Sequence, residues 1–318
     1  MPATKTKARR PAPRQRRRTP SRRTSLPWAA AGLAVLVTAA VLIARLASDD
    51  DDTSPGASGD DPGVAHVHGL GINPADGLLY VATHYGTFRI LESGPAERVG
   101  DSYQDTMGFT VVGADRFVGS GHPDAAGLRE GQPGLLGLIE STDGGESWTS
   151  VALSGQVDFH ALAYAHDHIY GWDSTSQRFM ISTDGGGNWD GRSTLALYGF
   201  AVDPDDADRL VAAAPDGLRH SSDGGRSWSE PAEPGLVTVA WDAGGTLFGV
   251  EASGAVQRST DGGDTWEGVG RLPGSPQSLL AADGDLWAAA HGDGNVTGIY
   301  RSTDGGVTWA LRYRDGDD

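Results

Sequence analysis

STDGGESW, Ser141–Trp148, is one of five copies of an acidic, glycine-rich octet. It returns as STDGGGNW at Ser182–Trp189, SSDGGRSW at Ser221–Trp228, STDGGDTW at Ser259–Trp266 and STDGGVTW at Ser302–Trp309. The aspartates, Asp143, Asp184, Asp223, Asp261 and Asp304, are spaced by 41, 39, 38 and 43 residues. A period near 40 in a β-type sequence is that of a β-propeller, with one blade of four strands per unit. Outward from each octet the unit reads strand, turn, strand, loop, strand, octet, strand. The last unit places its strands at Ser278–Ala281, Asp285–Ala290, Gly298–Ser302 and Thr308–Arg314. The fifth places them at Val237–Trp241, Thr246–Glu251, Gly254–Ser259 and Thr265–Val269.

A sixth unit precedes the first octet. His68–Asn73, Leu78–Thr83 and Gly86–Leu91 fit its first three strands, and Glu92-Ser93-Gly94-Pro95 replaces the octet with a degenerate turn. The expected fold is therefore all-β, a six-bladed Asp-box propeller over residues 64–318. The octet is a joint in this fold. Its Asp accepts hydrogen bonds from backbone N–H groups of its own turn, and its two Gly residues permit positive φ. Trp148, Trp189, Trp228, Trp266 and Trp309 each bury a large apolar face between blades. Five equivalent copies cannot share one active site.

The octets match the BNR, or Asp-box, repeat S-x-D-x-G-x-T-W, and the chain resembles the sialidase-like, glycosyl-hydrolase-like propellers. It is especially similar to small membrane-anchored bacterial members of unassigned activity, in HVHGLGINP (His66–Pro74), GSGHPD (Gly119–Asp124) and LGLIESTDGG (Leu136–Gly145). The resemblance implies the fold most firmly. Asp-box propellers also include xyloglucan-cleaving enzymes, sorting receptors and photosystem assembly factors, so fold alone does not assign function.

A sialidase site, as the resemblance implies it, needs an arginine triad, a Tyr–Glu pair and an Asp acid/base. Phe88-Arg89-Ile90-Leu91 resembles the Phe-Arg-Ile-Pro motif of the first arginine. By blade alignment it falls on a third strand, as Tyr300-Arg301-Ser302 does, far from the axis. Arg219, Arg258 and Arg301 adjoin octets on outer strands, and three bidentate donors cannot be assembled. A two-carboxylate glycosidase has Asp105, Asp124, Asp173 and Glu251 as candidates, with nothing to single out a pair.

The first 63 residues read as an address. Residues 1–48 hold eleven Lys and Arg and no acid; of the 25 basic residues in the chain this leaves 14, against 42 Asp and Glu. The body of the protein is thus strongly acidic, which repels nucleic acid and tolerates cations. Residues 1–25 form an Arg- and Pro-rich segment expected to be disordered and cytoplasmic. Residues 26–47 contain the apolar run Trp28–Ala44, just sufficient with its flanks to span a bilayer. The reading favoured is a retained single-pass anchor with the propeller outside the cell membrane. The alternative is export with cleavage, since Ser21–Leu26 resembles a twin-arginine signal. Residues 48–63 are an acidic linker. The chain contains no Cys, which excludes disulfides, thiolate metal sites and Fe–S clusters.

The nine histidines are not scattered. His68 starts the first strand of blade one, with His66 two residues before it, and His160 starts that of blade three. His84, His122 and His291 leave the second strands of blades one, two and six, and the matching exits of blades three and five carry Asp173 and Glu251. All these positions lie around one mouth of the central channel. His66, His68, His84, His122, His160 and His291 are therefore candidate ligands for a transition metal, copper or zinc, in a set of imidazoles and carboxylates. Hydrogen bonding to nearby backbone is the competing role for each. The loop Pro123–Gly134 on the same face is a candidate lid or partner-binding loop, and Trp172 and Tyr85 could stack on a sugar or pack against strands. The expected protein is a monomeric binding module, its partner a metal, a glycan or a cell-envelope protein; a glycoside hydrolase and an assembly scaffold are the alternatives.

Overall fold

Four of the five octets join the third strand of a four-stranded antiparallel meander to its outermost strand, and the remaining one, Ser221–Trp228, follows the last strand of a three-stranded sheet. The computed structural model describes residues 61–316 except 293 and 295. These fall within Thr53–Asp318, the second of two units into which the chain divides. The proposed anchor and most of the linker lie outside the described residues. Among the described residues no helix is long and apolar enough to cross a membrane.

Six local sheets follow one another along the chain. Blade one comprises β1 (Val67–Ile72), β2 (Leu79–Thr83), β3 (Gly86–Ile90) and β4 (Glu97–Val99). Blade two comprises β5 (Asp105–Gly113), β6 (Arg116–His122), β7 (Leu138–Ser141) and β8 (Thr149–Ala152), with the short helix α1 (Ala125–Arg129) between β6 and β7. Blade three holds β9 (Phe159–Ala165), β10 (His168–Asp173), β11 (Arg178–Ser182) and β12 (Asp190–Thr194). Blade four holds only β13 (Gly199–Val202), β14 (Leu210–Ala214) and β15 (Gly217–Ser221). Blade five holds β16 (Leu236–Trp241), β17 (Leu247–Glu251), β18 (Ala255–Ser259) and β19 (Glu267–Arg271). Blade six closes the series with β20 (Ser275–Ala282), β21 (Asp285–His291), β22 (Thr297–Ser302) and β23 (Ala310–Arg314).

The expected fourth strand of blade four is reduced to a single bridge, Leu218 with Ala232. Pro231 and Pro234 flank that bridge, and a proline has no N–H to extend the ladder. Elsewhere the outer strands start later than the sequence suggests: β23 begins at Ala310, because Thr308 and Trp309 belong to the turn.

The innermost strands β1, β5, β9, β13, β16 and β20 contact one another in ring order, and β20 meets β1. They line an axial cavity of about 290 Å³.

The octets repeat one hydrogen-bond pattern. Ser141 Oγ donates to Asp143 Oδ1 at 2.8 Å and accepts from the Gly145 N–H at 2.8 Å. Asp143 accepts in turn from the Ser147 N–H at 3.0 Å and the Ser147 hydroxyl at 2.6 Å. In the second octet Asn188 replaces that hydroxyl, donating from Nδ2 to Asp184 Oδ2 at 2.7 Å. Both glycines of each octet have positive φ, 73° and 95° at Gly144 and Gly145, a conformation that strains any side chain.

Each octet Trp wedges its blade against the preceding one. Trp148 packs on Tyr80, Val99, Phe109 and Phe117 between blades one and two. Trp189, Trp228, Trp266 and Trp309 do the same at the next four interfaces. The sixth interface, between blades six and one, has no octet Trp because blade one has no octet. There Val64, Val67, Phe88, Ala289 and Ile299 form the core, flanked by Trp287 and Tyr313. The chain ends tie this seam: the Val64 N–H donates to Asp315 Oδ1 at 3.1 Å, the Asp315 N–H donates to the Thr297 carbonyl at 2.9 Å, and the Thr297 hydroxyl bonds the Ala65 carbonyl.

Candidate functional site

Five of the six innermost strands carry a β-bulge near the same rim. The ladder skips His68 in β1, Met107 in β5, Val237 in β16 and Gln277 in β20. In β9 the partners of Asp173 and Trp172 are Phe159 and Ala161, which leaves His160 as the extra residue. A bulge re-aims the side chain of its extra residue and ends regular pairing. Both histidines expected at first-strand starts are thus bulge residues. His84 follows β2 directly, while His122 and His291 end β6 and β21. These backbone devices bring the six expected histidines to one rim, where they divide into two clusters.

The first cluster centres on His68, His84 and Asp105. His68 Nε2 stands 3.2 Å from His84 Nδ1 and 3.5 Å from Asp105 Oδ1, and His84 Nδ1 stands 2.9 Å from the same oxygen. The His66 ring stacks on His84 with centroids 5.2 Å apart and meets the His291 ring at 5.3 Å. Gln277, the bulge residue of blade six, orients His66. Its Oε1 accepts from the Val67 N–H at 3.1 Å, so its Nε2 donates to His66 Nδ1 at 3.0 Å. A neutral His66 therefore carries its proton on Nε2. Burial, reinforced by the neighbouring histidines, pushes the His66 pKa down to about 3. Burial likewise lowers that of His68, against the bond to Asp105. Burial works to raise the Asp105 pKa, but the His68 and His84 bonds outweigh it and hold the carboxyl well below the usual range. An ionised Asp105 thus stands beside His66 and His68, whose burial favours the neutral ring.

His122, Asp158 and His160 make the second cluster. Asp158 Oδ2 lies 2.7 Å from His160 Nε2 and 3.4 Å from His122 Nε2, and it accepts from the Ser174 hydroxyl at 3.1 Å. Asp158 itself is buried, and its Oδ1 has no hydrogen-bond partner. The His122 Nδ1–H donates to the Gly134 carbonyl at 2.8 Å. The bond to Asp158, opposed by burial, pushes the His122 pKa up to about 9. Burial would raise Asp158, yet the His122 and His160 bonds keep it well below the usual range.

Sequence reasoning missed Asp158 altogether and named Asp105 only among four glycosidase candidates. The other three are engaged elsewhere. Asp124 caps α1, accepting from the Gly127 N–H at 2.8 Å and the Tyr103 N–H at 3.1 Å. Asp173 closes a turn through Thr175 and Ser176 and accepts the Asp158 N–H at 3.0 Å. Glu251 accepts from Gln257 Nε2 at 2.6 Å.

The loop Pro123–Gly134 contains α1 and, through the Gly134 carbonyl, buttresses His122. Trp172 is buried, its Nε1–H bonded to the Leu195 carbonyl at 2.7 Å, so it packs against strands. No innermost strand carries an Arg, and Arg89 pairs with Glu97 across β3 and β4. Among the described residues, the innermost strands thus supply no guanidinium toward the axis.

Comparison with known proteins agrees with the fold. The BNR/Asp-box repeat family model matches residues 300–311. Over 199 residues the chain is 28% identical to the photosystem II assembly lipoprotein Ycf48 of Synechococcus sp. (strain CC9902), covering 57% of this chain and 58% of that protein. Over 161 residues it is 28% identical to a xyloglucanase of Paenibacillus sp., covering 47% of this chain but 13% of the enzyme. The chain thus matches less than two thirds of either relative. The solved structure of Ycf48 bound to D1 peptide shares the fold with a TM-score of 0.51 and 15% identity, covering 79% of this chain and 82% of that one.

Proposed function

We propose that this BNR-type Asp-box β-propeller is a binding module that captures a transition-metal ion, copper or zinc, at its histidine-lined mouth. His68, His84 and Asp105 are its ligands, and His66 and His291 flank the ion. The observation that carries the reading is the spacing of three donor atoms, 2.9, 3.2 and 3.5 Å apart. Ligands about 2.1 Å from an ion stand about 2.9 Å apart at right angles and about 3.4 Å apart in a tetrahedron. Protons satisfy the three contacts only poorly. With the proton on His84 Nδ1 the short bond goes to Asp105 and His68 has only a shared N–H or a long bond; with the proton on His68 Nε2 instead, the His84 lone pair faces the carboxylate at 2.9 Å. A cation satisfies all three at once. The donor set, two imidazoles and a carboxylate, suits a borderline divalent ion.

On this reading His66 hydrogen-bonds through Nε2–H to whatever occupies the remaining coordination positions, since its Nδ1 is already bonded to Gln277. The acidic body of the chain concentrates cations near the mouth. The N-terminal apolar run anchors the propeller outside the cell membrane, where such ions are met. His84→Ala with Asp105→Asn is expected to weaken zinc binding by the full-length protein at least 100-fold, measured by competition with a chelator. Unchanged affinity overturns the reading.

A second reading, an assembly scaffold that binds a protein segment, draws on the similarity to Ycf48. Cross-linking in cells that traps the same envelope protein in wild type and in the metal-site variant favours it.

A further inference from the structure

We propose that His122, Asp158 and His160 form a second cation site, independent of the first, so that the mouth takes two divalent ions of the zinc class. The three donor atoms come from two blades and lie within 4.8 Å of one another. His122 ends β6, Asp158 precedes β9, and His160 is the bulge residue of β9. The site shares no ligand with the His68–His84–Asp105 triad and does not depend on that triad holding metal.

What points to a ligand is the carboxylate. Asp158 is only 4% exposed, yet its Oδ1 has no partner, while its Oδ2 faces two imidazoles and a hydroxyl. A buried carboxylate oxygen with nothing to accept from is unfavourable unless an ordered water or a cation meets it, and beside two imidazole nitrogens a cation also meets Oδ2. The groups behind His122 and Asp158 are arranged as outer-shell partners of metal ligands are. The Gly134 carbonyl takes the His122 Nδ1–H, which leaves Nε2 as the nitrogen toward Asp158. Asp173 accepts the Asp158 N–H, and the Ser174 N–H donates to the Asp158 carbonyl at 2.9 Å, which fixes the carboxylate from below. These contacts cost the site no ligand atom.

The two clusters are built on one rung of a sheet. Asp105 of the first and His122 of the second are cross-strand partners in β5 and β6. Residues so opposed have Cα atoms about 4.5–5.5 Å apart. Two ions bound here are neighbours, each with its own carboxylate to offset the charge.

The test is zinc stoichiometry of the full-length protein by native mass spectrometry in detergent, with near-ultraviolet circular dichroism of the tryptophans as the check on folding. Wild type is expected to hold two equivalents. Asp158→Asn with His160→Gln is expected to hold one, and so is His122→Gln, a milder change that leaves the buried carboxylate in place. The wild-type stoichiometry retained by both second-cluster variants overturns the proposal. The first reading fails separately: wild type then holds one equivalent, kept by His84→Ala with Asp105→Asn and lost by the Asp158 variant.

Discussion

At the residue scale the octet aspartate behaves as a hydrogen-bond hub. Asp223 receives the Ser221 hydroxyl, the Ser227 N–H and the Ser227 hydroxyl, at 2.9, 2.9 and 2.5 Å. All three donors favour the ionised carboxylate. Led by the side-chain bond from the residue four positions on, Asp184, Asp223 and Asp304 are held at about 2. An unfolded Asp titrates near about 3.9, so as pH falls the unfolded chain takes up these protons first. The stabilisation is fully present above about pH 5 and is lost as pH falls from about 4 toward 2. We expect the melting temperature to decline gently from pH 7 to 5, because buried His66 and His68 resist the protons that the unfolded chain takes up, and to drop further below pH 4. With Asp184, Asp223 and Asp304 all changed to Asn, it should start lower at pH 7 and fall less steeply in acid. Equal acid slopes in the two proteins, followed by tryptophan fluorescence, would assign the acid sensitivity to other carboxylates.

At the scale of strands and turns, the rung that carries Asp105 and His122 depends on a glycine. Gly121 has φ 143° and lies against the Asp105 carbonyl, where a Cβ would collide with that backbone oxygen. Gly121→Ala is therefore expected to displace both cross-strand partners. Zinc affinity should fall at least tenfold, while the Trp-wedged interfaces remote from blade two keep their amide protection in hydrogen exchange. Unchanged affinity would mean that the rung does not position the site. This scale also explains what the sequence revealed. The octets and their period announce six blades because the Asp, the two Gly and the Trp are all needed within eight residues. The rim histidines were legible because strand starts and exits can be counted from the octets. The bulges at His68 and His160 were not, since an extra residue in a ladder leaves no residue-type signature. Asp158 was hidden for another reason: its partner His122 comes from the preceding blade, and GQVDFHAL alone does not join them. The missing fourth strand of blade four was not anticipated, although Pro231 and Pro234 carry its signal.

At the scale of the whole ring, five interfaces are wedged by an octet Trp and the sixth is held by the chain ends. Such a ring should open at the seam between blades six and one, where hydrogen bonds and Trp287 stand in for an octet Trp. Asp315 is central to that seam: its Oδ1 accepts from both the Val64 N–H and the Tyr313 hydroxyl, at 3.1 and 3.0 Å. The same seam orients the first histidine cluster, because Gln277 of blade six bonds both Val67 and His66. Closure of the ring and the geometry of the mouth are therefore linked. Asp315→Ala is expected to cost about 1–2 kcal/mol, the usual result of losing a partner for a buried donor. Amide exchange should quicken in β1 and β20 ahead of β9 and β10, since local opening precedes global unfolding. If an ion bound at His68, His84 and Asp105 holds blade one against the seam, added zinc should restore most of that protection, by mass action on the closed ring. Faster exchange spread evenly over all six blades would instead place the weakest joint elsewhere in the ring.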